Sequence, residues 1–286
     1  MASFCIKTNN NKILNYIVEE LNKFKKENFK ISKHSFKIYN NIIIHCNNSN
    51  VESFYNIISS ILSNTIMEFY EPISIKKEIE KNYFYFSEEE KNRILELYSN
   101  EILSLSNLAI DRFNILYSCF YLYIKENHSL ILDGFYNFRL SNYHKIVSEI
   151  LDICVNNFLM EREYFEFINI LKLYVSLNAS KISLIHLVFF NEKFVILDSR
   201  KNIINYETAN TLNAKFLSDI TFSKNDYVLN FLLNSLPKAI ILHLPCKTYE
   251  HNDFITTLKL IFDDRIKICN DCSVCSIYKY FYIDKV

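Results

Sequence analysis

Residues 238–269 read KAIILHLPCKTYEHNDFITTLKLIFDDRIKIC. Within them AIILHL is a short, fully apolar run of strand length, DFITTLKLIF repeats its apolar residues at helical spacing, and RIKIC reads as a second short strand. Strand, helix and strand in that order predict a right-handed parallel crossover. Two adjacent parallel strands end on the same side, about 4.8 Å apart. The first runs directly into Pro245 and Cys246, and the second ends at Cys269. Ligand sites of open α/β sheets form beyond such strand ends.

The second strand continues as CNDCSVC, which places Cys269, Cys272 and Cys275 in a C-x2-C-x2-C run. Eight cysteines in 286 residues would produce such a run fewer than ~0.01 times by chance. Three readings fit: a metal site, reduced thiols beside a packed strand end, or redox disulfide chemistry. The metal reading needs a fourth ligand, because zinc takes four nitrogen or sulfur donors. Cys246 is the expected fourth, with His243 or His251 from the same strand and loop as alternatives. An iron–sulfur cluster makes the same demand, and the ferredoxin-type run continues with a fourth cysteine and a proline where this chain has SIYK.

Upstream, LIHLVFF and FVILDS bracket Asn191, Glu192 and Lys193 as a β-hairpin, and DYVLNFLLNSL reads as a helix stopped by Pro237. From Ser87 to Leu177 there is no proline and one glycine, which predicts long packed helices. Ser87 and Glu90 have capping-box spacing. Ile146, Ile150, Cys154, Phe158, Phe165, Ile168 and Leu171 form one stripe. The single glycine, Gly134, reads as a helix–helix corner, with Asp133 capping the next helix, Phe135 and Phe138 entering the core and Arg139 in an ion pair. Nearer the N-terminus, SFCIKT is strand-like and NKILNYIVEELNKFKK helical. SFKIY and IIIHC flank a turn at Asn40–Asn41, and Ser49 with Glu52 opens a helix.

The expected fold class is α+β: an N-terminal α/β unit (1–85), a central long-helix bundle (86–180) and a C-terminal α/β unit (181–286) with a β-hairpin, a parallel strand–helix–strand and the cysteine cluster.

Composition removes several function classes. Lysine plus arginine equals aspartate plus glutamate at 32 each, so no global field draws the chain to nucleic acid or an anionic membrane. Lys23 to Lys37 interleaves lysines with Phe24, Phe29 and Phe36, a pattern explained by a helix end rather than by single-strand binding. FNILYSCFYLYI at 113–124 is too short for a span of roughly 20 apolar residues and reads as a buried helix. The opening residues lack a signal-peptide pattern, which points to a cytoplasmic protein with reduced thiols. A single glycine excludes the dinucleotide fingerprint, the P-loop and the nucleophile elbow. His144 and His186 read as structural, and Asp263–Asp264 as a solvated turn.

The pattern D-G-F-x-x-F-R-L at Asp133 to Leu140, the helical run after it and ISLIHLVFF resemble the YtxC-like family of sporulation proteins, most clearly from about Leu130 to Leu197. The resemblance implies a cytoplasmic protein of a spore-forming, low-GC bacterium and brings no reaction, cofactor or catalytic residue with it. Two functions fit: a non-catalytic interaction or scaffold protein with a protein partner and a structural metal, or a metal-dependent sensor or enzyme using zinc or an iron–sulfur cluster at Cys269, Cys272, Cys275 and Cys246.

Overall fold

The computed structural model describes residues 2–24, 29–35, 39–46, 51–104, 106–190, 193–204, 223–244, 252–269 and 271–283, with the side chains of 101–110 and 280–283 excepted. The fold is α+β, with two four-stranded mixed sheets, and it divides into two compact units, Met1–Met160 and Glu161–Val286.

In the first unit the sheet order is β2-β3-β1-β4, from β1 (Ala2–Thr8), β2 (Lys30–Ser35), β3 (Asn40–Cys46) and β4 (Ser129–Ile131). β3 buries Ile42, Ile44 and Cys46 in strict alternation, and Ile6↔Ile42 and Phe4↔Ile44 stand opposite one another. Asn40 and Asn41 lie inside β3, with Ser35↔Asn40 as the last pair of the hairpin. Asn40 and Asn41 are therefore strand residues and not the expected turn, because β3 needs Ile42, Ile44 and Cys46 on one face; residues 36–38 of the expected SFKIY strand lie outside the described residues. β4 comes from the segment read as a helix–helix corner and pairs parallel to β1. Three residues give too short a period to read from sequence.

Helix α1 (Asn11–Lys23) starts at Asn10, whose side chain accepts from Lys12 N–H at 2.9 Å, and buries Ile13, Leu14, Ile17 and Leu21. α2 (Val51–Thr65) passes through a π-helical turn, Ile66–Tyr70, into α3 (Glu71–Asn82). α4 (Glu88–Ser104) has the expected capping box: Ser87 N–H donates to Glu90 and Glu90 N–H to Ser87 Oγ. The companion box at Ser49 lies outside the described residues. α5 (Ser106–Glu126) buries Leu116, Phe120 and Ile124, and no helix among the described residues is long and apolar enough to cross a membrane. One core runs from Phe4 to Phe158, across residue 85.

Gly134 lies in the first turn of α6 (Leu132–Arg139) without a positive φ. Asp133 accepts from Tyr70 Oη at 2.7 Å instead of capping the helix. Phe135 is buried, whereas Phe138 is 85% exposed, and Arg139 lies over the Tyr123 ring at 5.2 Å. The three-residue spacing of the two phenylalanines does not put both into the core, because α6 packs through Leu132, Phe135 and Tyr136. α7 runs from Ser141 to Leu177. Ile150, Cys154, Phe158 and Ile168 of the expected stripe are buried, but Phe165 is exposed.

In the second unit the order is β6-β5-β7-β8, from β5 (Ile182–Phe190), β6 (Lys193–Leu197), β7 (Pro237–His243) and β8 (Ile266–Ile268). β6 is antiparallel to β5, whereas β7 is parallel to both β5 and β8. Lys193 pairs with Phe190, so it belongs to the strand instead of the loop. α8 (Lys224–Ser235) has a capping box of Ser223 with Asp226 and ends at Leu236 in the left-handed region, before Pro237. Ile185, Leu187 and Phe189 turn one face of β5 towards Val228 and Leu232 of α8 and Ile255 and Leu258 of α9 (Asp253–Phe262). The alternate residues of β5, His186 and Val188, face the other way, where Val274 of α10 (Ser273–Ile283) packs with Val188 and Leu197.

Candidate metal centre

The crossover places β7 and β8 side by side, and their ladder continues one step beyond β8, with Cys269 N–H donating to Leu242 O at 2.9 Å. Cys269 therefore sits next to His243 at the ends of the two strands. The chain then bends at Asp271, whose φ of 74° is a left-handed conformation that aspartate tolerates. Cys272 lies just before α10 and Cys275 in its first turn.

The ligand atoms of His243, Cys269, Cys272 and Cys275 all lie within 4.8 Å of one another. His243 Nδ1 is 3.3 Å from Cys275 Sγ and 3.5 Å from Cys272 Sγ, and the two sulfurs are 4.0 Å apart. A tetrahedral zinc with ordinary bond lengths separates two sulfurs by about 3.8 Å and a sulfur from a nitrogen by about 3.5 Å. These four residues lie close enough to hold a metal ion. Cys246 lies outside the described residues, as does His251.

Electrostatics prepare the donors. Burial alone would raise the Cys272 thiol, but the N–H of Cys275, the Cys269 thiol and the N–H of Val274 outweigh it and hold Cys272 below its ordinary value. Cys272 thus has a lowered thiol at a helix N-terminus, the usual setting of an activated cysteine. Burial, followed by hydrogen bonding with Cys272 and Cys275, pushes Cys269 up to about 12, and burial also raises Cys275. Cys272 is therefore the most readily ionised of the three thiols, and a cation would favour ionisation of the other two.

His243 is 2% exposed. Burial, then the neighbouring His186 and Lys201, push it down to about 4, and His186 is lowered by burial and Lys201 against the pull of Asp198. Both rings are thus neutral at pH 7. His186 Nδ1 lies 2.9 Å from His243 Nε2, so His243 Nε2–H donating to His186 leaves the Nδ1 lone pair of His243 aimed at the sulfurs. A second group fixing the tautomer of a ligand histidine is the usual arrangement in metal sites. The register explains the pair: Val188 stands opposite His243, and His186, two residues away on the same face, is its diagonal neighbour. His186 read as a lone structural histidine; the signal that could have found it was the pairing of β5 with β7.

The other sequence candidates fall elsewhere. His144 binds the Tyr136 carbonyl at 2.8 Å, and Asp263 accepts from Lys172 at 2.6 Å in an exposed turn.

The sequence model of the YtxC-like family matches residues 56–267. The chain belongs to the YtxC-like family. It is 24% identical over 221 residues to the protein named Uncharacterized protein YtxC of Bacillus subtilis (strain 168), covering 71% of this chain and 77% of that one. No solved structure matches the chain. The YtxC-like match takes in His243 and ends at residue 267, before Cys269.

Proposed function

We propose that this YtxC-like chain is a non-catalytic cytoplasmic interaction protein of sporulating cells, whose C-terminal unit is pinned by one structural zinc ion held by Cys269, Cys272, Cys275 and His243. The observation that carries this reading is the convergence of four ligand atoms within 4.8 Å. That spacing suits a single ion. A cluster's ligands bind different irons and must stand further apart, and a catalytic zinc keeps a position open for water where this site already offers four protein donors.

The fold supplies a reason for the ion. α8 and α9 are anchored by the large core on one face of the sheet, whereas among the described residues α10 rests on a small cluster, Val274 packing with Val188 and Leu197, and Phe190 against Tyr278 at 5.5 Å. Two ligands from the start of α10 and two from the strand ends make the ion the main fastening of this helix. The interaction role is supported by α7, where Phe167, Ile170, Tyr174 and Leu177 recur on one side and are 52%, 65%, 42% and 76% exposed, the mark of a protein-binding face. The link to sporulation rests on the family resemblance.

Elemental analysis of anaerobically purified protein tests the proposal: about one zinc per chain in the wild type and a loss of it in Cys269→Ala. Iron with acid-labile sulfide would overturn the single-ion reading in favour of a redox or sensing centre, and no metal in protein refolded with excess zinc would reduce the cluster to thiols. The role is tested by deletion, which should lower spore yield.

A further inference from the structure

The first unit holds a second polar constellation, far in sequence from the cysteines. Glu71 of α3, Tyr98 of α4, Arg112 of α5 and Tyr143 of α7 are each at most 4% exposed. Arg112 and Tyr98 both bond to Glu71 Oε1, and Tyr143 donates to Oε2. A carboxylate accepts about four hydrogen bonds, so Oε2 keeps a lone pair to spare. Arg112 Nε is buried and has no acceptor among the described residues.

Glu71 and Arg112 also line a cavity of about 800 Å³, with Tyr16, Met67, Ile75 and Leu95 among its walls. This is within the size range of small-molecule sites, which are mostly apolar with a few converging polar groups. The π-helical turn at Ile66–Tyr70 builds it. Buried positions along α2 fall at Phe54, Ile58, Leu62 and Ile66, then after the wide turn at Glu71, Ile75 and Ile79. The step from 66 to 71 is one residue longer than the others, matching the Glu71 N–H bond to Ile66 O. Pro72 lacks the N–H that an uninterrupted α-helix would bond at this point. The extra residue turns Glu71 inward, where an even period would have buried Tyr70. π turns of this kind concentrate at functional sites.

We propose that this cavity binds a neutral, largely apolar small molecule that presents one hydroxyl or amide group to Glu71 and Arg112. The charges select it. Glu71 and Arg112 compensate one another, so a carboxylate head would face Glu71 and an ammonium head would face Arg112, each with one unbalanced charge in a buried setting. A hydroxyl or amide donates to the spare lone pair of the carboxylate and accepts from the guanidinium, satisfying both.

The test uses the full chain and N-phenyl-1-naphthylamine, an apolar fluorophore with one N–H donor, displaced by 1-decanol, decyl methyl ether, decanoate or decylammonium. Fluorescence should rise on binding and fall with decanol, while the ether, which cannot donate, and the two ions should each compete about ten-fold more weakly. Leu95→Trp, which fills the cavity, and Ser99→Trp at its exposed rim should each lower probe affinity at least ten-fold. The rim variant serves even if the deeper one disturbs folding. No probe binding, equal competition by the ions, or unchanged affinity in Ser99→Trp and in a folded Leu95→Trp would overturn the proposal.

Discussion

His243 and His186 show how a residue's role is set by what lies across a strand. Replacing His186 with phenylalanine keeps an aromatic ring but removes the hydrogen-bond partner of His243 Nε2. The expected result is a site that still takes up zinc with affinity lowered 10- to 100-fold, measured by competition with a chromophoric chelator. Cys272→Ser should do more, removing a ligand and the most acidic of the three thiols; metal content should fall well below one per chain. In the first unit, Glu71→Gln leaves the Arg112 guanidinium buried without its counter-ion, and chemical denaturation should show a loss of about 3–5 kcal/mol. The three clustered cysteines were legible because their spacing is a local property of the sequence. Glu71 and its partners were not, since Arg112, Tyr98 and Tyr143 come from three other helices and no local spacing connects them.

At the scale of elements, the amphipathic segments were readable where a period was long enough to register. The strand–helix–strand at 237–268 and the helix at 224–235 are present, because apolar runs and stop signals agree there. Misreadings concentrate where tertiary demands override a short pattern: Asn40–Asn41 drawn into β3, three-residue β4 paired to β1, and Phe138 left outside the core. The rotation introduced by the π turn was invisible, since only the burial of Glu71 reveals it. For α10 the expectation is specific. Chelation of the metal should raise amide exchange at residues 273–279 and 266–268 while α8 and α9 stay protected by their larger core. Equal deprotection of all four elements would count against a local fastening.

Over the whole molecule, two separate hydrophobic cores predict two responses to metal removal. Exchange should rise in the 161–286 unit at α10 and β8, and protection throughout the 1–160 unit should be unchanged, as followed in water with and without chelator. The exposed side of α7 belongs to surface energetics instead: Ile170→Glu, at a position 65% exposed, should alter folding stability by less than about 0.5 kcal/mol while disrupting any complex made through that face. The α+β class was legible at this scale from the mixture of periods. The continuous core from Phe4 to Phe158 was not, because β4 and the helices around residue 85 join it only through long-range pairing.

The wide turn at Ile66–Tyr70 also governs which changes of length the chain tolerates. Loops absorb insertions and deletions with little penalty, whereas inside a helix losing one residue ordinarily rotates everything after it by about 100°. The wide turn is the exception, because losing one residue from 67–70 would leave Glu71, Ile75 and Ile79 following Ile66 at the regular spacing of four, on the same face as Phe54, Ile58 and Leu62. A single missing codon there should therefore be less damaging than one elsewhere in α2 or α3, and among YtxC-like sequences gaps should gather at this turn.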